Sequence, residues 1–571
     1  MASVEMSELP APADLSHHIN TVSRARTANQ MKVLYEYFMV PGMTNLAGGL
    51  PFPAYFPFDT LKASVAKPAR FVPPLAAEFH SVSPTTASPL LSRFSFSAEQ
   101  TLPVPDTNSS PIHISIPKVS PPSADPGAQI DVATALQYTN MNGLAPLASF
   151  IADFTLNHLH GGRIPYSNPG IILTCGNTDG LGKAINLLGE RGDNMLVEDF
   201  TYPNSIQTAA PYGIGIVPIG MDAEGIRPDG PGGLRDILEH WDSRVQGRRP
   251  HLMYTVTVGQ NPTGGTLSLA RRRAIYALCE RFDIIIIEDD PYWYLQYTST
   301  PFSTARPGKY PFLESLTPSF ITLDTAGRVI RLDTFSKTIA PGCRLGWITA
   351  QPEFITRLRY ISESSSATPS GFSQAFVATL LHSWGMGGWV DWLAALRDVY
   401  ALRKTNMCAL LTKHAFTSTM HDSDSDDTVV VATRPMYEFV SPDGGMFVWV
   451  RVRIEEHPAY KSFTRRRTKL EMMTALWMFV AETQLSLPCP GWTFAGSEKI
   501  KEGKAAEMMR FCFAAVEEVE VGEATERWGK GVQVFWGMDE GEIVAWLKGS
   551  KEKKESGEAV VGVVGVGGAK W

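Results

Sequence analysis

Seven short apolar segments between residues 170 and 350 constrain the fold of this chain more than any other feature. The segments are Ile171–Thr174, Met195–Val197, Ile214–Pro218, Leu252–Val258, Ile284–Ile287, Val329–Leu332 and Leu345–Thr349. Apolar runs of this length are typical of strands buried on both faces, as in a parallel sheet covered by helices. Helix-like stretches separate them, among them the amphipathic segment 270–282. The pattern predicts an α/β fold with a mostly parallel central sheet in a large domain.

The rest of the chain predicts further units around this sheet. A helical region at 372–415 is followed by the strand Met446–Val452 and by the strand-to-helix segment 508–516, which together predict a smaller α+β domain. We therefore divide the chain into an N-terminal arm with the start of the small domain (1–60), a Pro/Ser-rich insertion (81–126), a large domain (130–355), a small C-terminal domain (360–540) and a flexible tail (541–571).

Composition sets two of these segments apart. Residues 81–126 hold nine prolines and eleven serines, and such a sequence buries little apolar surface. We expect it to form a surface insertion or a disordered loop. After residue 540 the chain is charged and then rich in glycine and valine, which predicts a frayed tail.

Charge and cysteine content narrow the class of protein. The 571 residues carry 51 Lys and Arg against 58 Asp and Glu, a net charge of -7, which makes nucleic-acid binding a poor fit. The six cysteines are scattered and show no zinc-type spacing, so we predict no metal site and a reducing compartment. The N-terminus lacks the apolar stretch of a secretory signal, and the glycine-diluted apolar stretch at 559–569 is shorter than the ~18–20 residues that span a bilayer. We expect a cytoplasmic protein without membrane contact.

Polar residues follow four of the predicted strands, where open α/β sheets bind ligands. Gly176-Asn177-Thr178 opens a helix whose free N–H groups suit a phosphate, although an ordinary strand-to-helix turn explains the same residues. Gln260-Asn261-Pro262-Thr263-Gly264 is a turn that aims the Asn261 side chain over the sheet edge.

The other two strands end in charged groups. Glu288-Asp289-Asp290 follows a buried strand, and such acids need cationic partners or a ligand, for example a protonated ring nitrogen; a solvated strand end is the alternative. Lys337 lies between small hydroxyl residues after the next strand and suits Schiff-base chemistry, although a single lysine is more often only solvated. Arg344 follows seven residues later and can bind an anion with two hydrogen bonds.

Together these motifs are far more specific than any one of them. The order G-N-T, Y-P-N, Q-N-P-T-G, E-D-D-P-Y and S-K-x-x-x-P-G-x-R-x-G-W resembles the class I/II aminotransferases of pyridoxal-phosphate fold type I. Within that family the chain is most similar to fungal aromatic aminotransferases and to kynurenine/2-aminoadipate aminotransferases, a likeness shared by Leu46–Pro51 and Leu136–Gly143. The resemblance covers about residues 16–60 and 130–520.

The resemblance implies pyridoxal 5′-phosphate as cofactor, bound by the large domain. Lys337 is then the residue that forms the internal aldimine and carries the proton between the substrate Cα and the cofactor. Asp289 pairs with the pyridinium nitrogen and keeps it protonated. Asn261 and Tyr292 donate to the ring hydroxyl oxygen, and Tyr202 stacks on the ring.

The same resemblance implies how the two anionic groups are held. The residues that bind the cofactor phosphate are Asn177, Thr178, Thr334, Ser336 and Arg344. Tyr138 matches a tyrosine that reaches the phosphate of the neighbouring subunit, which implies a homodimer with shared active sites. Arg510 matches the arginine that holds the substrate α-carboxylate, with Asn261 and Gly49 beside the substrate.

The chain departs from the family pattern at several places. Thr257-Val258 stands where many relatives have a proline, and Thr334 stands where serine is frequent. Arg24, Arg26 and Lys32 resemble a basic stretch that closes over the substrate in relatives, although a solvated arm fits them equally well. The 81–126 insertion leaves the substrate specificity open.

The sequence therefore predicts an enzyme that transfers the amino group of an aromatic or 2-aminoadipate-type L-amino acid to a 2-oxo acid, in amino-acid or specialised metabolism. A pyridoxal-phosphate-dependent lyase or decarboxylase on the same fold is the alternative within enzymes. A non-catalytic, cofactor-binding regulator is the alternative from another class, and the short N-terminal arm argues against it because it is too small for a DNA-binding domain.

Overall fold

The computed structural model describes residues 9–27, 42, 49–71, 110–120, 130–139, 141–297, 309–421 and 430–556. Its strands are β1 (Thr60–Val65), β2 (Ile112–Pro117), β3 (Gly170–Thr174), β4 (Asn194–Glu198), β5 (Gly215–Ile219), β6 (Met221–Asp222), β7 (Gly225–Ile226), β8 (Leu252–Thr255), β9 (Ile285–Asp289), β10 (Val329–Thr334), β11 (Gly346–Ala350), β12 (Phe416–His421), β13 (Val430–Pro435), β14 (Tyr437–Phe439), β15 (Phe447–Val452), β16 (Cys489–Pro490) and β17 (Met508–Cys512). Its α-helices are α1 (Thr21–Ala25), α2 (Val132–Ala135), α3 (Ala145–Ala152), α4 (Asn177–Leu188), α5 (Pro203–Ala209), α6 (Leu234–Glu239), α7 (Ser243–Gln246), α8 (Leu269–Arg281), α9 (Pro311–Glu314), α10 (Pro352–Glu363), α11 (Gly371–Lys413), α12 (Tyr460–Phe463), α13 (Lys469–Gln484), α14 (Glu498–Glu502), α15 (Glu518–Trp536) and α16 (Glu540–Ser556).

A seven-stranded central sheet has the order β3-β11-β10-β9-β8-β4-β5. β11 runs antiparallel to both of its neighbours, and the other six strands run in one direction. All seven predicted strands are present in it. The predicted α/β fold with a mostly parallel sheet is confirmed.

Helices cover both faces of the central sheet because its strands are apolar on both. Every residue of β9 is buried: Ile285 and Ile287 pack in one core with α4 and α10, whereas Ile286 packs in another core with α8. The carboxyl ends of the parallel strands therefore meet at one edge, and α4 begins directly after β3. This edge is where the predicted polar residues lie.

A second, four-stranded sheet follows in the chain, with the order β14-β15-β17-β16. Its inner side chains, among them Val448 and Phe511, pack with α13 and α15 in a separate core. A capping box between Thr468 and Glu471 fixes the start of α13. We call these four strands the C-terminal sheet.

The predicted flexible tail begins too early. Residues 540–556 form α16, and Ile543 is fully buried while Trp546 contacts Phe479 edge-on. Residues 543–547 form a run of five apolar residues, which can be buried although the residues that follow are mostly charged. Residues 557–571 lie outside the described residues.

Part of the predicted insertion is also ordered. Residues 112–117 form β2, which pairs antiparallel with β1 and places Leu61 opposite Ile116. Ile114 and Ile116 are buried, and Ile116 packs against Val132. Alternating apolar residues inside the Pro/Ser-rich segment explain the strand. Within 81–126 the structure describes residues 110–120, and residues 81–109 and 121–126 lie outside the described residues.

Helix α11 joins the two sheets. Leu381 and Leu393 pack with residues beside the central sheet, whereas Met407 and Leu411 pack in the core of the C-terminal sheet. Gly385, at φ 65°, interrupts the helix. Because this helix belongs to both cores, the predicted boundary between domains at 130–355 and 360–540 stays a prediction. Among the helices in the described ranges, none combines the length and apolarity needed to cross a membrane.

Candidate active site

Most of the predicted site residues come from the ends of five strands of the central sheet and from one strand of the C-terminal sheet. Asp289 is the last residue of β9, and Thr334 is the last residue of β10. A single 3-10 turn, Phe335–Lys337, follows β10 and carries Ser336 and Lys337.

Asp289 is buried and held by two donors. Asn177 Nδ2 donates to its Oδ1 over 2.6 Å, and the Tyr254 hydroxyl donates to its Oδ2 over 2.8 Å. Burial raises the pKa of Asp289 to about 6, although both hydrogen bonds oppose the shift. The carboxylate is therefore fixed in direction and favours a cationic partner.

Tyr254 was missed by sequence reasoning. It lies on β8, the strand next to β9, and packs in the same core as Ile285 and Ile287. A tyrosine within an otherwise aliphatic buried strand needs a hydrogen-bond partner, and the acid at the end of the adjacent strand was the available one. A tyrosine in one buried strand and an acid at the end of the next were therefore the sequence signal that could have identified Tyr254.

The side chain of Asn177 has a different partner from the predicted phosphate. Its Nδ2 donates to Asp289 and also to the Leu332 carbonyl over 3.1 Å. Both N–H donors of the amide are thus used, and only the acceptor Oδ1 remains. Asn177 can contribute to phosphate binding through its backbone N–H, because it is the first residue of α4.

Gly176 and Arg344 meet at the N-terminus of α4. Gly176 has φ 89°, and a Cβ there would lie 2.9 Å from Arg344 Nη2, so only glycine allows the guanidinium this close. Arg344 Nη2 donates to the Cys175 carbonyl over 2.7 Å. Thr178 and Arg344 line a cavity of about 630 Å³ in front of the helix. A helix N-terminus next to an arginine suits a phosphate.

Two further hydroxyl groups lie at the end of β10. Thr334 Oγ1 and Ser336 Oγ lie 2.9 Å apart, and the Ser336 N–H donates to Thr334 Oγ1 over 3.1 Å. The threonine thus keeps the hydroxyl function that serine has in relatives.

Lys337 is half-buried at the end of the 3-10 turn. Burial lowers the pKa of its amine; Cys512 opposes this effect, and the Arg510 guanidinium adds to it. An amine with a lowered pKa is a better nucleophile at neutral pH than a solvated lysine.

Arg510 lies on β17 of the C-terminal sheet and reaches the central sheet. Its Nη1 donates to Asn261 Oδ1 over 2.6 Å. Its guanidinium carbon lies 4.3 Å from the centroid of Phe447 and 4.8 Å from that of Phe494. The two rings hold the planar guanidinium by cation–π contacts and leave its remaining N–H groups for a carboxylate.

Tyr292 and Tyr202 lie between these groups. Tyr292 is buried and packs edge-on against Phe447, with ring centroids 5.6 Å apart. Burial raises the pKa of the Tyr202 phenol, and the nearby Asp289 carboxylate raises it further. Asn204 Nδ2 donates to the Tyr202 hydroxyl over 2.9 Å, which fixes the ring at the start of α5.

The two acids on either side of Asp289 are structural. Glu288 accepts from Ser319 and from the Phe320 N–H, and Arg331 donates to Asp290 over 3.1 Å. Thr257, at the position of the family proline, donates to Asp290 from its backbone N–H over 3.0 Å and from its hydroxyl over 2.7 Å. A proline at position 257 would have neither this N–H nor this hydroxyl to donate to Asp290.

Several predicted residues are not brought to this site within one chain. Tyr138 is 75% exposed, and no described atom lies within 4 Å of a Cβ built on Gly49. Arg24 Nε donates to the Ile19 carbonyl over 2.6 Å, and Arg26 Nη1 donates to Ser364 Oγ over 2.6 Å. Both arginines thus hold the arm in place rather than face the site. Lys32 lies outside the described residues.

The site combines an anion cradle, a buried acid, a lysine of lowered pKa and an arginine for a carboxylate. The family model "Aminotransferase class I and II" matches residues 124–527. The chain is a class I and II aminotransferase. Such an enzyme moves an amino group between an amino acid and a 2-oxo acid, and the predicted enzyme class is confirmed.

Individual aminotransferases match over most of their length. An aromatic amino acid aminotransferase of Schizosaccharomyces pombe is 32% identical, over 89% of this chain and 96% of its own. An L-tyrosine:2-oxoglutarate aminotransferase of Serpula lacrymans is 33% identical, over 86% of each. The crystal structure of a Candida albicans aminotransferase superposes with a TM-score of 0.74 at 31% identity, covering 93% of this chain and 100% of that one. Nothing in these comparisons favours the lyase or the regulator.

Proposed function

We propose that this aminotransferase uses pyridoxal 5′-phosphate to transfer the amino group of an aromatic L-amino acid to a 2-oxo acid such as 2-oxoglutarate. The observation that carries the proposal is the junction of the two sheets, where Arg510 lies between Phe447 and Phe494 and bonds to Asn261. A carboxylate-binding arginine enclosed by aromatic rings fits an aromatic amino acid.

The residues at the site fit the cofactor. The buried Asp289 carboxylate, with its pKa raised to about 6, favours a protonated ring nitrogen as partner. Among the described residues, Asn177 Oδ1 and Arg510 Nε are buried polar atoms without a hydrogen-bond partner, so the protein alone does not satisfy this site. Gly176 keeps the backbone open in front of α4, next to Arg344.

Each residue then has a defined part in binding. Phosphate is held by the first N–H groups of α4 and by the side chains of Thr178, Thr334, Ser336 and Arg344. Asp289 binds the ring nitrogen, and Asn261 and Tyr292 bind the ring hydroxyl. Tyr202 stacks on one face of the ring. The bound cofactor supplies an electron sink for the substrate Cα.

The remaining chemistry belongs to the chain's own side chains. The Lys337 amine takes the proton from the substrate Cα and carries it to the cofactor. The lowered pKa of the amine suits it to this proton transfer. Arg510 binds the α-carboxylate that all amino-acid substrates share, and Asn261 fixes the direction of its guanidinium. Asn177 and Tyr254 keep the Asp289 carboxylate in one orientation.

Steady-state kinetics test this function. L-tyrosine, L-phenylalanine, L-tryptophan and L-2-aminoadipate are each offered with and without 2-oxoglutarate. We expect repeated turnover to an aromatic 2-oxo acid only when 2-oxoglutarate is present, with the parallel double-reciprocal lines of a ping-pong reaction; without the acceptor, about one equivalent per active site forms. Consumption of many equivalents of an amino acid without the acceptor would instead indicate a lyase and refute the proposal.

We further propose a homodimer in which Tyr138 completes the site of the other subunit. Tyr138, Phe52 and Tyr55 are 75%, 62% and 84% exposed, and Gln137 Nε2 donates to the Pro51 carbonyl over 2.8 Å, which brings the two segments together. Exposed aromatic side chains grouped in this way favour a protein interface. The predicted cytoplasmic location stays a prediction.

Mixing two inactive variants tests the shared site. Lys337→Ala and Tyr138→Ala are each expected to lose most activity alone. In a mixed dimer with shared sites, one of the two sites has both native residues, so unfolding and refolding the two together restores activity. No restoration in mixed dimers confirmed by light scattering would contradict the shared site.

A further inference from the structure

Two adjacent histidines of the N-terminal segment meet an aspartate from the far end of α8. His17 and His18 lie in the 3-10 helix Ser16–His18, and Asp283 lies in the turn after α8 with φ 55°. His17 Nε2 is 2.7 Å from Asp283 Oδ2, and His18 Nε2 is 3.0 Å from Oδ1. Both carboxylate oxygens thus face an imidazole nitrogen, more than 260 residues away in the chain.

A second pair continues this cluster into the protein. His18 Nδ1 lies 3.1 Å from His251 Nδ1, and His251 Nε2 lies 2.9 Å from Asp193 Oδ2. Asp193 also accepts from the Glu190 N–H, and Arg248 Nη1 lies 3.2 Å from its Oδ1. Both His18 and His251 are buried, whereas His17 and Asp283 are about half exposed.

The placement of ring hydrogens along these contacts indicates a position for a cation between His18 and Asp283. When neutral His251 donates from Nε2 to Asp193, its Nδ1 must accept, so His18 must donate from Nδ1. The Nε2 of a neutral His18 is then a lone pair, and it faces an oxygen of Asp283. A lone pair facing a carboxylate is unfavourable unless a positive ion lies between them.

The donors around that position are those that a transition metal prefers. Two imidazole nitrogens and a carboxylate oxygen are frequent ligands of Zn²⁺, with bonds of about 2.0–2.2 Å. The three ligand atoms lie within 4.8 Å of one another, and the His17 side chain is half exposed, so its ring has room to adjust to an ion. His18 also has the outer partner typical of a metal ligand, because its second ring nitrogen bonds to His251 and through it to Asp193.

We propose that His17, His18 and Asp283 bind one divalent transition-metal ion of the Zn²⁺ type, which joins the N-terminal segment to the turn after α8. Arg328 Nη1, 3.6 Å from Asp283 Oδ1, competes for the carboxylate and limits the affinity. A cavity of about 390 Å³ beside His18, His251 and Asp283 gives solvent access from one side. The site lies apart from the residues of the proposed reaction.

Zinc titration of the cofactor-loaded protein, freed of metal by chelator and kept without amino acids, tests the site. We expect one Zn²⁺ per chain, bound about tenfold or more weakly by His17→Ala and by Asp283→Asn. His240→Ala is the matched control, because His240 is 78% exposed and lies 2.9 Å from Asp236. It is expected to bind as the wild type does. Co²⁺ in place of Zn²⁺ reports the ligand geometry through its visible absorption.

Hydrogen exchange gives a readout that does not depend on affinity. Zn²⁺ is expected to slow amide exchange in residues 13–25 of the wild type and of His240→Ala, and to have no such effect in His17→Ala. Three results would overturn the proposal: no bound Zn²⁺, equal binding by His17→Ala and Asp283→Asn, or exchange that Zn²⁺ leaves unchanged. In each case a proton, rather than a metal ion, occupies the position between His18 and Asp283.

Discussion

Arg510 Nη1 donates to Asn261 Oδ1 over 2.6 Å and thereby ties a strand of the C-terminal sheet to the turn after β8 of the central sheet. The contact orients both side chains, the Arg510 guanidinium and the Asn261 amide. The Asn261 amide is the group that we expect beside the cofactor ring. Phe447 and Phe494 confine the guanidinium further. In the proposed function, this contact links the binding of the substrate carboxylate to the binding of the cofactor ring.

Arg510→Lys is expected to weaken binding of every amino-acid and 2-oxo-acid substrate. Lysine keeps the charge but presents no planar fork, so it cannot bind a carboxylate with two parallel hydrogen bonds. We expect KM to rise by about tenfold or more, equivalent to about 1.4 kcal/mol. Arg527→Lys, at a half-exposed arginine of α15 that pairs with Glu523, is the control with unchanged KM. An unchanged KM in Arg510→Lys would contradict the assigned role.

Asp289→Asn is expected to change the pH dependence of stability in the cofactor-free protein. Burial raises the pKa of Asp289 from 3.8 to about 6, so between these pH values the folded state holds a proton that the unfolded state has lost. The free energy of unfolding therefore falls as pH rises through this window. Asparagine carries no such proton.

Denaturant unfolding at pH 4, 5, 6 and 7 checks this prediction. The difference in stability, variant minus wild type, is expected to rise by up to about 3 kcal/mol between pH 4 and pH 6 and to level off above. The same variant is expected to lose most activity. A stability difference that stays constant from pH 4 to pH 7 would show that Asp289 does not titrate there.

Thr257→Ala is expected to destabilise the fold without touching the reaction. It removes the hydroxyl that donates to Asp290, an acid buried beside Arg331. Loss of a buried hydrogen bond to a charged group costs about 1–3 kcal/mol. Urea unfolding measures the change, with the exposed Thr405→Ala expected to stay within about 0.5 kcal/mol of the wild type. Equal stability of the two variants would be the contrary result.

Ile543→Ala tests the packing of α16. Ile543 is fully buried between this helix and the core of the C-terminal sheet. Removing a buried isoleucine side chain costs about 2–5 kcal/mol. Val534→Ala, at a position 56% exposed, is the matched control and is expected to change little. If both variants unfold at the same urea concentration, α16 contributes nothing to the fold.

The sequence was most informative where one physical signal was strong. All seven strands of the central sheet follow from apolar runs, because burial on both faces leaves a continuous pattern. Asp289 and Lys337 could be found because polar groups at the ends of such strands stand out. The order of several motifs then indicated the family.

Features that depend on long-range contacts could not be predicted in this way. The pairing of Tyr254 and Asn177 with Asp289 depends on how β8, β9 and the start of α4 are placed relative to one another. Helix α16 contains the apolar run 543–547 but continues into a charged segment, and only the core that it packs against shows that the run is buried. The cluster of His17 and His18 with Asp283 joins residues too far apart for any spacing rule.

The visible absorption spectrum of the purified protein tests the central claim most directly. With pyridoxal phosphate, the wild type is expected to show a visible band that L-tyrosine removes and 2-oxoglutarate then restores, whereas Lys337→Ala shows no band that responds in this way. Such a result would demonstrate cofactor, donor and acceptor together. A protein without a visible band in excess cofactor, or a band that no aromatic amino acid changes, would contradict the account.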